Sequence, residues 1–94
     1  MTDELLIELS DEVRKDFQIP PYFDNATINR ALRESEARLI QLNPAADFET
    51  DAVGRSLLKN YAYYHIYHKP EEFEKNYEQL VLSWQLSAAS EEAS

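Results

Sequence analysis

The chain contains no cysteine and only one glycine, Gly54, in its 94 residues. Without thiols it has no disulfide, no thiolate nucleophile and no cysteine-based metal cluster, which suits a reducing compartment. A lone glycine excludes glycine-rich phosphate loops and dinucleotide fingerprints, which need several. Basic residues are scarce, nine Lys and Arg against eighteen Asp and Glu, for a net charge of -9. Holding a nucleic-acid backbone by charge depends on Lys and Arg displacing counterions, so that function is excluded. No apolar run approaches the roughly 20 residues of a membrane span, and the start Met1-Thr2-Asp3-Glu4 is acidic where a secretory signal is basic. These features lead to the expectation of a soluble intracellular protein without membrane association.

Catalytic patterns are missing too. No Ser-His-Asp constellation is evident, and the acidic groups Glu71/Glu74 and Glu8/Asp11/Glu12 fall in solvent-facing helix starts, where acid–base catalysis is not expected. His65 and His68 stand three apart and share a helix face. They lack a third ligand and the Glu-x-x-His pattern of carboxylate-bridged bundles, so the expected role is packing of two amphipathic rings, with no metal. The expectation is a non-enzyme with no catalytic residue, no cofactor and no metal.

What the chain does have is helical periodicity with clear punctuation. Thr2 suits an N-cap, Asp3 and Glu4 suit the positive helix start, and Leu5, Leu6, Leu9, Val13 and Phe17 form one stripe that must stop before Pro20-Pro21. A second helix opens at Asp24 and lays Ile28, Ala31, Leu32, Ser35, Leu39 and Leu42 on one face until Asn43-Pro44. Its outer face carries Arg30, Glu34 and Arg38 in i,i+4 steps, most simply a ladder of surface ion pairs. The third helix is expected from Asp47 or Thr50 to about His68. A fourth starts at Pro70, with Phe73, Tyr77, Leu80, Val81 and Trp84 as its buried stripe. The predicted fold is all-α: a small bundle of about four helices over residues 1–86, with a flexible acidic Ser/Ala/Glu tail over 87–94.

Residues 57–84 are the richest segment. At about 100° per residue, Val53, Leu57, Tyr61, Tyr64, His65 and His68 fall on one side of the third helix, and Tyr63, Ile66 and Tyr67 fall nearly opposite. A two-faced helix needs two burial partners: either the small bundle wraps both faces internally, or Tyr63, Ile66 and Tyr67 form a subunit contact, with Arg30, Arg33 or Arg38 near a neighbour's acids, and the subunit contact is the expectation. The charge is uneven: residues 1–24 carry seven acids and two bases, 25–69 five and six, and 70–94 six and one. Acidic ends most simply aid solubility; beside DNA they would also repel the phosphates and let a duplex slide past.

The succession DELLIELSDEVRKDF, DNATINRAL (the form D-x-x-x-I-x-x-A-L) and LLKNYAYYHIYHKPEEFEKNYEQL resembles the head-to-tail connector, or adaptor, proteins of tailed bacteriophages over nearly residues 3–86. The resemblance implies a structural virion protein at the head-to-tail interface, assembled in the host cytoplasm. Its partners would be identical copies in a ring, commonly of twelve subunits, the portal protein above, and a stopper or tail-completion protein below. DNA would pass through the channel without sequence-specific binding. The tail, with Ser87, Glu91 and Glu92, would dock on the portal. A different expectation from the same acidity is a small helical module that binds a basic partner as a DNA mimic or inhibitor.

Overall fold

A computed structural model describes the backbone of residues 1–93 and the side chains of residues 1–87. Among the described residues there are five helices and no strand: α1 Asp3–Asp16, α2 Asn25–Leu42, α3 Ala52–Ile66, α4 Pro70–Asn76 and α5 Glu78–Ala93. The all-α class therefore holds. The starts follow the expected chemistry. Thr2 Oγ1 accepts from Leu5 N at 3.1 Å, and Asp24 Oδ1 accepts from Thr27 N at 2.8 Å. Pro70 occupies the first turn of α4. The third helix starts later than expected because Asp51 is the residue that caps it, accepting from Val53 N at 3.1 Å. Asp47 instead organises a separate turn, accepting from Glu49 N at 3.0 Å on its side chain and from Asp51 N at 2.9 Å on its carbonyl.

With one glycine in the chain, the helix stops fall on other residues. α1 and α3 both end with a residue in the left-handed region, Gln18 at φ 51° and His68 at φ 59°. After α1, Ile19 N donates to Arg14 O at 3.0 Å; after α3, Lys69 N donates to Tyr64 O at 2.8 Å. Both are Schellman closures, a role usually taken by glycine because a β-carbon in this conformation costs about 1–2 kcal/mol.

The helices α1 and α3 run parallel, with α2 antiparallel to both. Arg55 on α3 reaches Glu8 at 2.9 Å and also binds Glu12, while Lys59 reaches Glu12 at 3.0 Å and Asp16 at 2.8 Å. Arg14 near the end of α1 meets Asn25 at the start of α2, and Asp3 near the start of α1 meets Arg33. One core runs through these elements, built on Leu9, Val13, Ile28, Leu32, Leu39, Leu57 and Leu58 and extended by Phe48, Phe73 and Trp84. Burying each such side chain contributes on the order of 2 kcal/mol.

The expected fourth helix is divided at Tyr77, whose φ of -108° and ψ of 10° depart from helical values. The division separates two packing tasks. Phe73 on α4 stacks on Tyr61 with ring centroids 4.2 Å apart, whereas Trp84 on α5 packs at the far end of α3, 6.3 Å from Phe48. Leu80 on α5, expected in a buried stripe, is exposed instead, as is Val53 on α3. Both look out at the open side between α5 and the loop joining α2 to α3. The i,i+4 ladder on α2 is also replaced: Glu34 turns to His65 and Arg38 to Glu74, because facing helices offer these side chains partners within reach.

Candidate functional site

α3 is central to the aromatic architecture. On one face the stack Tyr61–Phe73–Tyr77 has centroid spacings of 4.2 and 4.6 Å and interplanar angles of 9° and 16°. Its polar atoms are matched: Tyr61 Oη donates to Glu74 Oε1 at 3.0 Å, Tyr77 Oη donates to Asn60 Oδ1 at 3.1 Å, and Arg38 pairs with Glu74 at 3.4 Å. Burial, reinforced by the Glu74 carboxylate, pushes the Tyr61 phenol up to about 12. This face is internal packing.

The opposite face is also partly satisfied within the protomer. Tyr63 stacks on Phe17 at 4.6 Å, Tyr63 and Tyr67 lie 5.2 Å apart, and Tyr67 meets the edge of Phe23 at 5.5 Å. Ile66 is only 3% exposed and belongs to the core, so its side chain has no free surface for a neighbour in this arrangement. Ile66 therefore takes the internal alternative, burial within the bundle, while Phe17 at the end of α1 and Phe23 before α2 cover much of Tyr63 and Tyr67. Tyr67, at 38% exposure, retains the accessible part of this face, and Tyr63 is half-buried.

Two of the three candidate arginines are engaged inside the protomer: Arg33 with Asp3 at 3.4 Å, and Arg38 with Glu74 and, at 3.3 Å, Gln41. Arg30 is exposed and has no ion-pair partner among the described residues. Of the proposed docking tail, Ser87 is exposed. Glu91 and Glu92 lie outside the described side chains.

His65 packs 4.8 Å from Tyr61, with Nδ1 3.5 Å from Glu34 and Nε2 buried without a partner among the described residues. Burial lowers its pKa below the ordinary histidine value, against the opposing pull of Glu34, Glu74 and Glu71. His68 is exposed and serves the α3 stop, so the two imidazoles do not converge. Among the described residues, no three His, Cys, Asp or Glu side chains gather as a metal centre would require, and no helix is long and apolar enough to cross a membrane.

Two surface features escaped the sequence reading. The first is the turn at residues 20–23, where Tyr22 is 81% exposed beside Phe23. Arg14 holds this turn through Pro20 O at 3.3 Å, Phe23 O at 2.7 Å and Asn25 Oδ1 at 3.1 Å. The signal was available as Pro-Pro followed by two aromatics, outside any helix. The second is α5, which buries Val81 and Trp84 while leaving Leu80, Leu82 and Leu86 at 45%, 47% and 61% exposure. A groove of about 740 Å³ separates α5 from residues 43–53, with Asp47, Asp51, Val53, Leu80 and Trp84 among its walls. Gly54 is buried beside two of these walls, where an added β-carbon would stand 2.8 Å from Asp51 Oδ2 and 3.3 Å from Trp84 Cζ2. No protein-family model, curated protein or solved structure matches this chain.

Proposed function

We propose that this protein is a structural virion subunit, an adaptor that closes into a ring beneath the portal of a tailed bacteriophage, extends the DNA channel and joins the capsid to a stopper or tail. The observation that carries the reading is α5. Apolar residues on a helix are normally gathered on one covered face, yet α5 leaves Leu80, Leu82 and Leu86 in solvent among its polar residues while Val81 and Trp84 face the core. Such a helix suits a subunit whose remaining surface is covered on assembly.

The chemistry elsewhere agrees with a passive role. Among the described residues, ion pairs such as those of Arg55 and Lys59 with the acids of α1 join one helix to another, and no group of ionisable side chains converges on a reaction centre. Exposed Glu71, Glu72 and Glu78, repeated around a ring, would supply a surface that repels passing DNA. The resemblance to phage connectors supplies the neighbours: a portal on one side and a tail-side protein on the other.

Electron microscopy of DNA-filled capsids lacking the adaptor, incubated with purified protein, tests the proposal. A ring of added density is expected at the portal vertex, with loss of that ring for the double variant Leu82→Ser/Leu86→Ser. These side chains are exposed, so the substitution spares the protomer core. A vertex without added density, together with a one-to-one complex between the free protein and a basic partner, would replace this reading with that of an acidic inhibitor.

A further inference from the structure

We infer that the turn carrying Pro20, Pro21 and Tyr22 is a preformed knob that seats in the groove between α5 and residues 43–53 of a second copy of this chain. The inference deepens the ring reading by naming the contact that would join neighbours, and it rests on that reading for its setting.

The knob is unusual in being both rigid and exposed. Two prolines fix their own backbone φ, and Arg14 supplies three hydrogen bonds to the turn and its flank, yet Tyr22 is left 81% exposed. A turn tied down this way loses little conformational entropy on docking, which favours association even when the contact area is modest. A tyrosine brings a large flat ring and a hydroxyl donor on one side chain.

The groove offers the complementary chemistry. Val53, Leu80 and Ala46 give it apolar walls, and its volume of about 740 Å³ accommodates a tyrosine with its flanking prolines. Residues 43–54 include three acids, Asp47, Glu49 and Asp51, and no base. Asp51 is already engaged with Trp84 Nε1 and Val53 N, whereas Asp47 is exposed and uses one carboxylate oxygen for the turn at Glu49. Asp47 lines the groove, and its second oxygen, with no hydrogen bond among the described residues, would accept from the incoming phenol. Residues 18–23 contain no acid, so the turn itself brings no like charge to the groove; of the flanking acids, Asp24 is engaged in capping α2 and Asp16 in pairing with Lys59, and Lys69 stands at the same end of the molecule as Tyr67 and Phe23.

Topology makes the contact directional. The knob lies where α1 ends, α2 begins and α3 ends; the groove lies where α2 ends and α3 begins. Copies joined knob to groove repeat head to tail, and a heterologous contact of that kind closes into a ring when its rotation permits.

The absence of native cysteine allows a direct test. Chains carrying Ala26→Cys, exposed beside the knob, and Ser83→Cys, in the groove, are mixed at high concentration with a short bis-maleimide. A cross-linked heterodimer is expected well above the yield from Ile7→Cys with Ser83→Cys, Ile7 being exposed on α1. Adding Tyr22→Ala to the knob chain or Leu80→Arg to the groove chain should reduce the yield by about tenfold, the effect of losing one anchor. Both altered side chains are exposed, and circular dichroism checks that each fold is retained. A yield equal to the control, or one unaffected by Tyr22→Ala, overturns the inference. If Tyr22→Ala still forms a ring on the vertex, the knob is wrong and the adaptor reading stands; if the cross-link forms but no ring appears, the adaptor reading falls and the contact stands.

Discussion

Replacing Trp84 by phenylalanine isolates a contact that ties α5 to the start of α3. Trp84 is the only tryptophan, and its Nε1 donates to Asp51 Oδ2 at 2.6 Å. The other oxygen of that carboxylate caps α3 at Val53 N. Phenylalanine keeps an aromatic ring against Phe48 but removes the donor and part of the buried volume. A hydrogen bond to a charged acceptor contributes about 1.5–3 kcal/mol, and the smaller ring forfeits on the order of 1 kcal/mol of packing. Asp51 is only partly buried, so water recovers some of the lost bond, which places the expected destabilisation at about 2–3 kcal/mol. For a domain of this size that lowers the melting temperature by about 10 °C or more. Urea unfolding followed by far-UV circular dichroism measures the change without relying on the deleted fluorophore. Combining Trp84→Phe with Asp51→Ala in a double-mutant cycle should reveal coupling above about 1 kcal/mol. A single-variant loss below about 0.5 kcal/mol, or coupling near zero, would refute the argument that this bond anchors α5.

Two further outcomes follow from buried and paired polar groups. Ser35 is fully buried and its hydroxyl has no hydrogen-bond partner among the described residues, so Ser35→Ala should stabilise the protein by about 1 kcal/mol in chemical denaturation; destabilisation of that size would mean the hydroxyl is satisfied. Glu12 is held below the ordinary carboxylate value of 4.5, first by the hydrogen bond from Arg55 and then by Lys59, against the opposing effect of burial. Its folded pKa is depressed, so its stabilisation is present above the unfolded value and fades as pH falls through the folded one. The stability gap between wild type and Glu12→Gln should therefore be about 1 kcal/mol at neutral pH and close at pH values well below 4.5; a gap that stays constant on acidification contradicts the assignment.

Local chemistry was legible in the sequence wherever one segment sufficed to determine it. Thr2, Asp24 and Pro70 mark helix starts because a cap or first-turn residue acts on amides within its own turn. The stripes of α1 and α2 were legible for a related reason: an apolar period of 3.6 needs only one dominant burial direction, and Leu9, Val13, Ile28, Leu32 and Leu39 are all buried. Helix stops were harder to read. Gln18 and His68 adopt left-handed backbone conformations at a local cost that the surrounding packing and closing hydrogen bonds offset, and nothing in either residue type announces it.

Which apolar surface is hidden was decided by tertiary structure alone. Helical phase set Tyr63, Ile66 and Tyr67 apart from Tyr61 and Tyr64, but phase cannot reveal whether a neighbouring helix or a neighbouring molecule covers a face. Phe17, at the end of α1, and Phe23, before α2, reach Tyr63 and Tyr67 only because the chain folds back on itself, while Ile66 enters the core. Leu80 and Val53 have the same apolar character as buried neighbours, yet the break at Tyr77 and the placement of Trp84 against Asp51 leave them facing an open groove. The sequence determined the helices and their amphipathic faces through interactions spanning a turn or two; the assembled bundle determined exposure, because burial depends on residues brought together from distant parts of the chain.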